Sequence, residues 1–253
     1  QQKEKENIEY GKAHTFTNLG IIANMQGNYK RALARYDEAL EIYSAESDGD
    51  NQARVHINIG MTYIDQGEYS KAINMFEQGL QLITEIEDQE LRGLIHLNMA
   101  KALALNRKYS KAEKLAKKAL KMFKLMGDSR SVAEAYHIFG LIHGMQGNLS
   151  EAELFLNESL RLTEQEENFE LFAETCQSYA DVCKQAGRKQ KAKEFYDKAL
   201  ATYKKLNLKN RAKKVQARLD QLQTPPENNH RKINVVDGAK AKTKKPQQAE
   251  TRF

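Results

Sequence analysis

The 253 residues carry 40 Lys and Arg against 34 Asp and Glu, a net charge of +6, with three prolines and two cysteines. No run of about 18 apolar residues occurs, which excludes a helix that spans a bilayer. All three prolines lie after Gln223, so the chain before Thr224 is free to be helical throughout.

Residues 1–9 read as a polar, frayed lead-in. The chain opens on Gln1 and not on methionine, which implies either a removed targeting segment or a piece cut from something longer, whose missing part would hold any output activity. From residue 10 the sequence repeats itself. Gly20, Gly60, Ala100, Gly140 and Ala180 stand 40 residues apart; so do Ala32, Ala72, Ala112, Ala152 and Ala192, and so do Leu40, Leu80, Leu120, Leu160 and Leu200. Five uninterrupted copies at one period predict a stack of like supersecondary units.

Each copy reads as a pair of antiparallel helices, at about 10–47, 51–87, 90–126, 130–166 and 169–206. Small residues such as Gly60 and Ala72 let the two backbones approach. Gly67, repeated as Gly27, Gly147 and Gly187, serves the turn between them, and Arg107 breaks that series. Ile59, Tyr63, Tyr69, Phe76 and Leu80 fill the space between hairpins. One hairpin cannot bury both its faces, so copies must stack. Asp48, Asp88, Asp128 and Asn168 fall between copies, where short polar side chains cap helices or shape turns; Leu208 takes that place at the end. Residues 209–223 are expected to form a capping helix, with Ala212, Val215, Leu219 and Leu222 on one face and Asp220 where a repeat needs a small residue. Residues 224–253, rich in Lys and Gln, read as a basic disordered tail.

Leu19-Gly20, Gly27-Asn28-Tyr29, Ala32 and Tyr36, then Ile59-Gly60, Tyr63, Gly67, Tyr69, Ala72 and Phe76, resemble the tetratricopeptide-repeat pattern over residues 10–208. HEAT-type repeats have a similar period but lack the Gly-x-Tyr turn. The period of 40 in place of the usual 34 resembles scaffolds of the Pins and LGN type and peptide-binding regulators of the Rap and PlcR type. The resemblance implies an all-α, right-handed superhelical solenoid of antiparallel helix pairs that holds a ligand on its concave side, lined by the first helix of each hairpin.

Asn18, Asn58 and Asn98 form one column on that inner face. Amides offer donors and an acceptor, so a ladder of them suits the backbone of an extended peptide; local hydrogen bonding is the competing reading. Around it stand Ile21, Ile57, Met61, Leu94, Leu97, His137 and Leu141, a strip too apolar for a solvated face. A ligand, the tail or a second copy of the protein would cover it. Lys101 and His137 are placed to read a carboxylate, while Gln177, Ser178 and Asp181 make the far end polar. The carboxylate clamp of chaperone-binding relatives is not reproduced: its five places hold Thr17, Ile21, Asn58, Leu97 and Lys101, of which two match.

Charge is uneven along the chain. From Lys184 onward there are 20 basic residues against 6 acidic, and before it 20 against 28. The tail lysines Lys240, Lys242, Lys244 and Lys245 form a run whose ordinary reading is a solvated end, with an acidic partner, anionic lipid or nucleic acid as alternatives. Lys108, Lys111, Lys114, Lys117, Lys118, Lys121 and Lys124 mark the outer helix of the third hairpin, without the aromatics or Gly-rich loop that bases or phosphates need.

Nothing points to catalysis, a cofactor or a metal. His14, His56, His96, His137, His143 and His230 are scattered, and no P-loop, dinucleotide fingerprint or Gly-x-Ser-x-Gly elbow occurs. Cys176 and Cys183 lie two helical turns apart, about 10.5 Å, too far for a disulfide; they read as buried thiols, which suits the cytoplasm, with the periplasm open if a signal segment preceded Gln1. The expectation is a non-catalytic adaptor that binds a peptide or protein segment with apolar anchors on its concave face. The alternative is a sensor for a small signalling peptide whose output domain lies outside this chain.

Overall fold

The computed structural model describes residues 2–83 and 88–223; the expected tail, residues 224–253, lies outside them. Among the described residues there are eleven helices and no strand: α1 (Gln2–Met25), α2 (Tyr29–Ala45), α3 (Gly49–Gln66), α4 (Tyr69–Leu82), α5 (Gln89–Leu105), α6 (Tyr109–Met126), α7 (Ser129–Gln146), α8 (Leu149–Gln165), α9 (Phe169–Gln185), α10 (Lys189–Lys205) and α11 (Lys209–Gln223). The fold is an all-helical solenoid of packed helix pairs. One expectation needs correction: the lead-in is part of the first helix. Residues 2–9 hold no glycine or proline, and Gln, Lys and Glu are good helix formers, so α1 extends through them.

A single turn geometry recurs at 20-residue steps at 27, 47 and 67 and again from 107 to 207, whereas α4 ends on an extended Ile83. Gly27, Gly67, Gly147 and Gly187 have φ of 75°, 79°, 84° and 73°, as the turn-glycine series predicts. The break at Arg107 is only chemical, because Arg107 takes the same left-handed conformation at φ 60°. Between hairpins the geometry repeats at Ser47, Gly127, Glu167 and Asn207, which the sequence reading did not foresee. In each turn the next N–H reaches back across the helix end, as Glu68 to the Tyr63 carbonyl at 2.8 Å and Asp128 to that of Phe123 at 3.0 Å. This bond closes a helix C-terminus around one left-handed residue. The next helix then starts on a cap: Asp48, Asp88, Asp128 and Asn168 accept from the N–H three residues on, at 2.9, 2.7, 3.0 and 3.3 Å.

The small residues work differently from a simple approach of backbones. A Cβ added to Gly60 would lie 2.4 Å from Phe76 Cε1, one on Gly20 2.4 Å from Tyr36 Cε1, and one on Gly140 2.5 Å from Leu156 Cγ. Each glycine is thus a socket for the large side chain 16 residues later. In the third copy both places are alanine, Ala100 and Ala116, and Gly93 instead receives the Phe123 ring, 2.7 Å from where its Cβ would be. The core follows these sockets: Tyr36, Phe76, Phe123 and Leu156 are at most 1% exposed.

α11 ends the stack, burying Val215 and Leu219 against Tyr196 and Tyr203 of α10. Asn210 at its start also donates to the Met25 carbonyl at the end of α1, 3.1 Å away. The first hairpin and the capping helix therefore meet.

The Gly60 socket gives the first test. Gly60→Ala forces a methyl into the Phe76 ring, an overpacking that costs about 1–3 kcal/mol. Urea denaturation followed by circular dichroism should show that loss, with part of it recovered when Phe76→Leu is added.

Candidate functional site

The odd-numbered helices pack against one another in series, α1 with α3, α3 with α5, α5 with α7 and α7 with α9, and form the inner layer. A cleft of about 370 Å³ opens along α1, α3 and α5. Val55, Ile57, Leu91 and Leu94 give it an apolar floor, and His14, Asn51, Arg54 and Asn58 a polar rim. The rim is braced by its neighbours. His14 Nδ1 meets the Tyr43 hydroxyl at 3.0 Å, and Arg54 reaches Asp88 at 3.3 Å.

Three of the expected ligand residues, Ile57, Asn58 and Leu94, line this cleft. Four more, Met61, Lys101, His137 and Leu141, line a narrower pocket of about 220 Å³ farther along the inner face. Asn18 and Ile21 are exposed on α1. The other two are not on the surface. Leu97 is fully buried in the cluster of Phe123 and Ile138, because α5 has neighbours on both flanks. Asn98 is 8% exposed, and its amide donates to the Leu94 carbonyl one turn back at 2.9 Å. The asparagine column therefore runs from exposed at Asn18, through half-buried Asn58, to buried Asn98, and is not a uniform ladder.

Lys101 is already paired. Its Nζ lies 3.2 Å from Glu174 Oε2, a contact from α5 to α9 that passes over α7. Arg211 of α11 binds the same carboxylate and also Glu170 Oε1 at 3.0 Å. Burial would raise the Glu174 carboxyl, but Lys101 and then Arg211 override it and hold it down at about 2. Lys101 is likewise raised, burial being outweighed by Glu174 and Glu134. Beneath the bridge, His137 is 3% exposed, with Nε2 2.9 Å from Ser178 Oγ and no partner for Nδ1. Burial pushes its imidazole down to about 4. The site expected to read a ligand's carboxylate is thus filled by the protein's own Glu174.

Beyond this partition lies a second cleft of about 560 Å³, walled by Leu105, Leu141, Met145 and Val182. Arg218 of α11 crosses its edge to Asp181, which also accepts from Tyr196. Glu134, Glu174 and Arg211 were missed by the sequence reading. A signal existed: Glu134 and Glu174 take the place of Leu94 one and two copies later, beside the column in which Lys101 replaces Met61.

Residues 12–85 and 91–165 match a tetratricopeptide-repeat family, and residues 173–202 match another of the same description. The chain belongs to the tetratricopeptide-repeat family. No curated protein matches it. Its structure is similar to a Rap protein complexed with competence and sporulation factor (TM-score 0.69, 20% identity, covering 85% of this chain and 64% of that one). It is similar as well to BtubC from P. vanneervenii (0.59, 19%, 94% and 89%) and to aspartyl phosphate phosphatase F from Bacillus subtilis (0.60, 15%, 86% and 61%). These likenesses show the fold. The chain spans less than two thirds of the length of the Rap protein and of the phosphatase.

The tetratricopeptide core also fixes its thiols and remaining imidazoles. Cys176 and Cys183 are free and buried, and burial raises both, Cys176 to about 12, so neither is a thiolate at neutral pH. His96, 4% exposed, is pushed down to about 4 by burial and by Lys118 and Arg92. No helix among the described residues is long and apolar enough to cross a membrane.

His96 and His137 set the acid response. Both stay neutral in the fold well below their ordinary 6.5, so the unfolded chain takes up protons first as pH falls. Their contribution is intact above 6.5 and is lost from there toward 4; Glu174, depressed from 4.5, adds a loss below 4.5. Thermal midpoints measured from pH 8 to 4 should be level above 7 and fall below 6.5. His96→Leu should flatten the segment between 6.5 and 4.5.

Proposed function

We propose that the array is a non-catalytic protein-binding module whose first inner cleft receives an extended or helical segment with apolar anchors. The observation that carries this reading is the cleft's composition. Val55, Ile57, Leu91 and Leu94 form an apolar floor, and the Asn58 amide stands on the rim where a ligand's backbone would pass. Apolar floors with a few convergent polar groups are the usual makings of a recognition site. Membership in the tetratricopeptide-repeat family supports the same reading.

The asparagine column contributes less than its spacing suggests. Asn58, with exposed Asn18 beside it on α1, is left to grip a backbone, since the Asn98 amide serves α5 itself. The anchors of the ligand face Ile57, Leu94 and Met61, and the Lys101–Glu174 bridge stops it short of the fourth hairpin.

A second reading makes the module a sensor for a small signalling peptide, with its output domain outside this chain. The Rap likeness supports it, and so does the coverage of only 64% of that protein. The 40-residue period fits either reading, through its resemblance to Pins and LGN scaffolds and to Rap and PlcR regulators.

Selection from a random peptide library on phage, run in parallel on the intact chain and on Leu94→Glu, tests the site. The intact chain should enrich segments with spaced apolar residues, and the variant should lose at least about tenfold in affinity, or 1.4 kcal/mol. Equal enrichment by both would remove the first cleft as the site. Small-angle scattering with a selected peptide then separates the two readings: compaction of the array favours the sensor, an unchanged radius the adaptor.

A further inference from the structure

The outer helix of the third hairpin differs in charge from the outer helices beside it. α6 holds six lysines and one acidic residue, Glu113, whereas α8, the next outer helix, holds four glutamates and one arginine. At about 100° per residue, Lys111, Lys114, Lys118, Lys121 and Leu125 fall in one band about 80° wide and about 21 Å long. The opposite side of the helix, Ala112, Ala116, Ala119 and Phe123, is fully buried, so the band faces straight outward. All four lysines are exposed, and Leu125 is 79% exposed.

These cations have no ion-pair partner among the described residues. Other outer helices carry exposed charges in ion pairs, Lys71 with Glu68, Arg161 with Glu158 and Lys193 with Asp197. Lys111, Lys114, Lys118 and Lys121 make no ion pair among the described residues. Lys124, at the edge of the band, lies over the Tyr136 ring at 5.4 Å. Spacings of three and four put like charges side by side on the helix surface, where they repel one another. An opposing row of carboxylates would relieve that repulsion.

We propose that this band docks an acidic helical segment of a partner protein, with carboxylates at three- and four-residue spacing against the lysines and an apolar side chain against Leu125. The surface is separate from the inner cleft, and its occupant differs in chemistry from the ligand proposed there. Two other polyanions fit less well. A nucleic-acid backbone would meet the lysines but offers nothing to Leu125 or to the half-exposed Met126 beside it. An anionic bilayer is a plane, and would be pressed equally against the exposed Glu151 and Glu158 of α8. A rod of negative charge, one helix wide and with an apolar end, matches both features of the band.

The test uses the full chain and fluorescence anisotropy. The probe is a labelled helix-forming peptide as long as α6, with glutamates at alternating three- and four-residue spacing and a leucine at one end of that row. The same composition in scrambled order, a DNA duplex of similar length and phosphatidylserine vesicles are run beside it. The patterned peptide should bind at least about tenfold more tightly than the scrambled one. Lys114→Glu with Lys118→Glu should remove that binding, and Leu125→Ser should weaken it severalfold, with helicity unchanged by circular dichroism. Lys242→Glu with Lys244→Glu in the tail, and Leu94→Glu in the inner cleft, should leave it as it is. Equal binding of the scrambled peptide, tighter α6-dependent binding of DNA or vesicles, dependence on the tail lysines, or no binding at all would each overturn the proposal.

Discussion

Most of this fold depends on left-handed residues set at 20-residue steps, at 27, 47 and 67 and again from 107 to 207. Helix, turn and cap together use the same number of residues each time, so every helix starts at the same rotation about its own axis. A one-residue change in that step would turn all later side chains by about 100°, moving the sockets at Gly60 and Gly140 away from Phe76 and Leu156. The turn is sturdy enough to be kept where glycine is absent. Ser47, Arg107, Glu167 and Asn207 all adopt positive φ, at a cost of about 1–2 kcal/mol for each non-glycine residue so held. The hydrogen bond across each helix end and the burial of the flanking columns offset that cost.

Because the step is constant, the sequence is readable in columns, and columns are what sequence reasoning recovered. The turn glycines, the caps from Asp48 to Asn168 and the columns of small residues all follow from local rules at a fixed period, whereas the large side chains that enter those small-residue sockets are seen only in the packing. The capping-helix face of Val215 and Leu219 follows in the same way. Contacts between non-adjacent copies were harder to see. Lys101 meets Glu174 only because the inner helices crowd together over α7, and the radius of that curve is not written in the period. The asparagine column shows the same limit: Asn18, Asn58 and Asn98 are equivalent in sequence, yet each meets a different depth of packing. Lys101 in the column of Ile21, Met61 and Leu141, with Glu134 and Glu174 in the adjacent column, was the available clue that an internal pair sat there.

The bridge of Lys101, Glu174 and Arg211 gives the inner face its division. Bringing a carboxylate and two cations out of water is costly, and it is tolerated here because Glu174 meets both cations at once. Removing Glu174 would leave Lys101 without its ion-pair partner, whereas Glu174 keeps one cation if either of the other two is lost. The bridge also ties α5 and α11 to α9, so it resists changes in curvature that would separate them. Together with the Asn210 contact to Met25 it holds the ends of the array in register. A ligand in the first cleft meets a surface already shaped, and loses less on ordering it than it would on a loose array.

Inner and outer faces then follow opposite rules for holding a partner. Inside, charge is neutralised within the chain, and what remains open is apolar floor and amide. Outside, α6 leaves its lysines unpaired, so its attraction is long-ranged and weakened by salt. The two faces are built on different helices of the same hairpins, α5 within and α6 without, back to back across a core of Ala112, Ala116 and Phe123. That core is rigid enough to keep the faces independent, since no side chain of the α6 band reaches the cleft. With both proposed sites occupied, the array would hold two chains by different chemistry, at a separation fixed by the thickness of one helical hairpin.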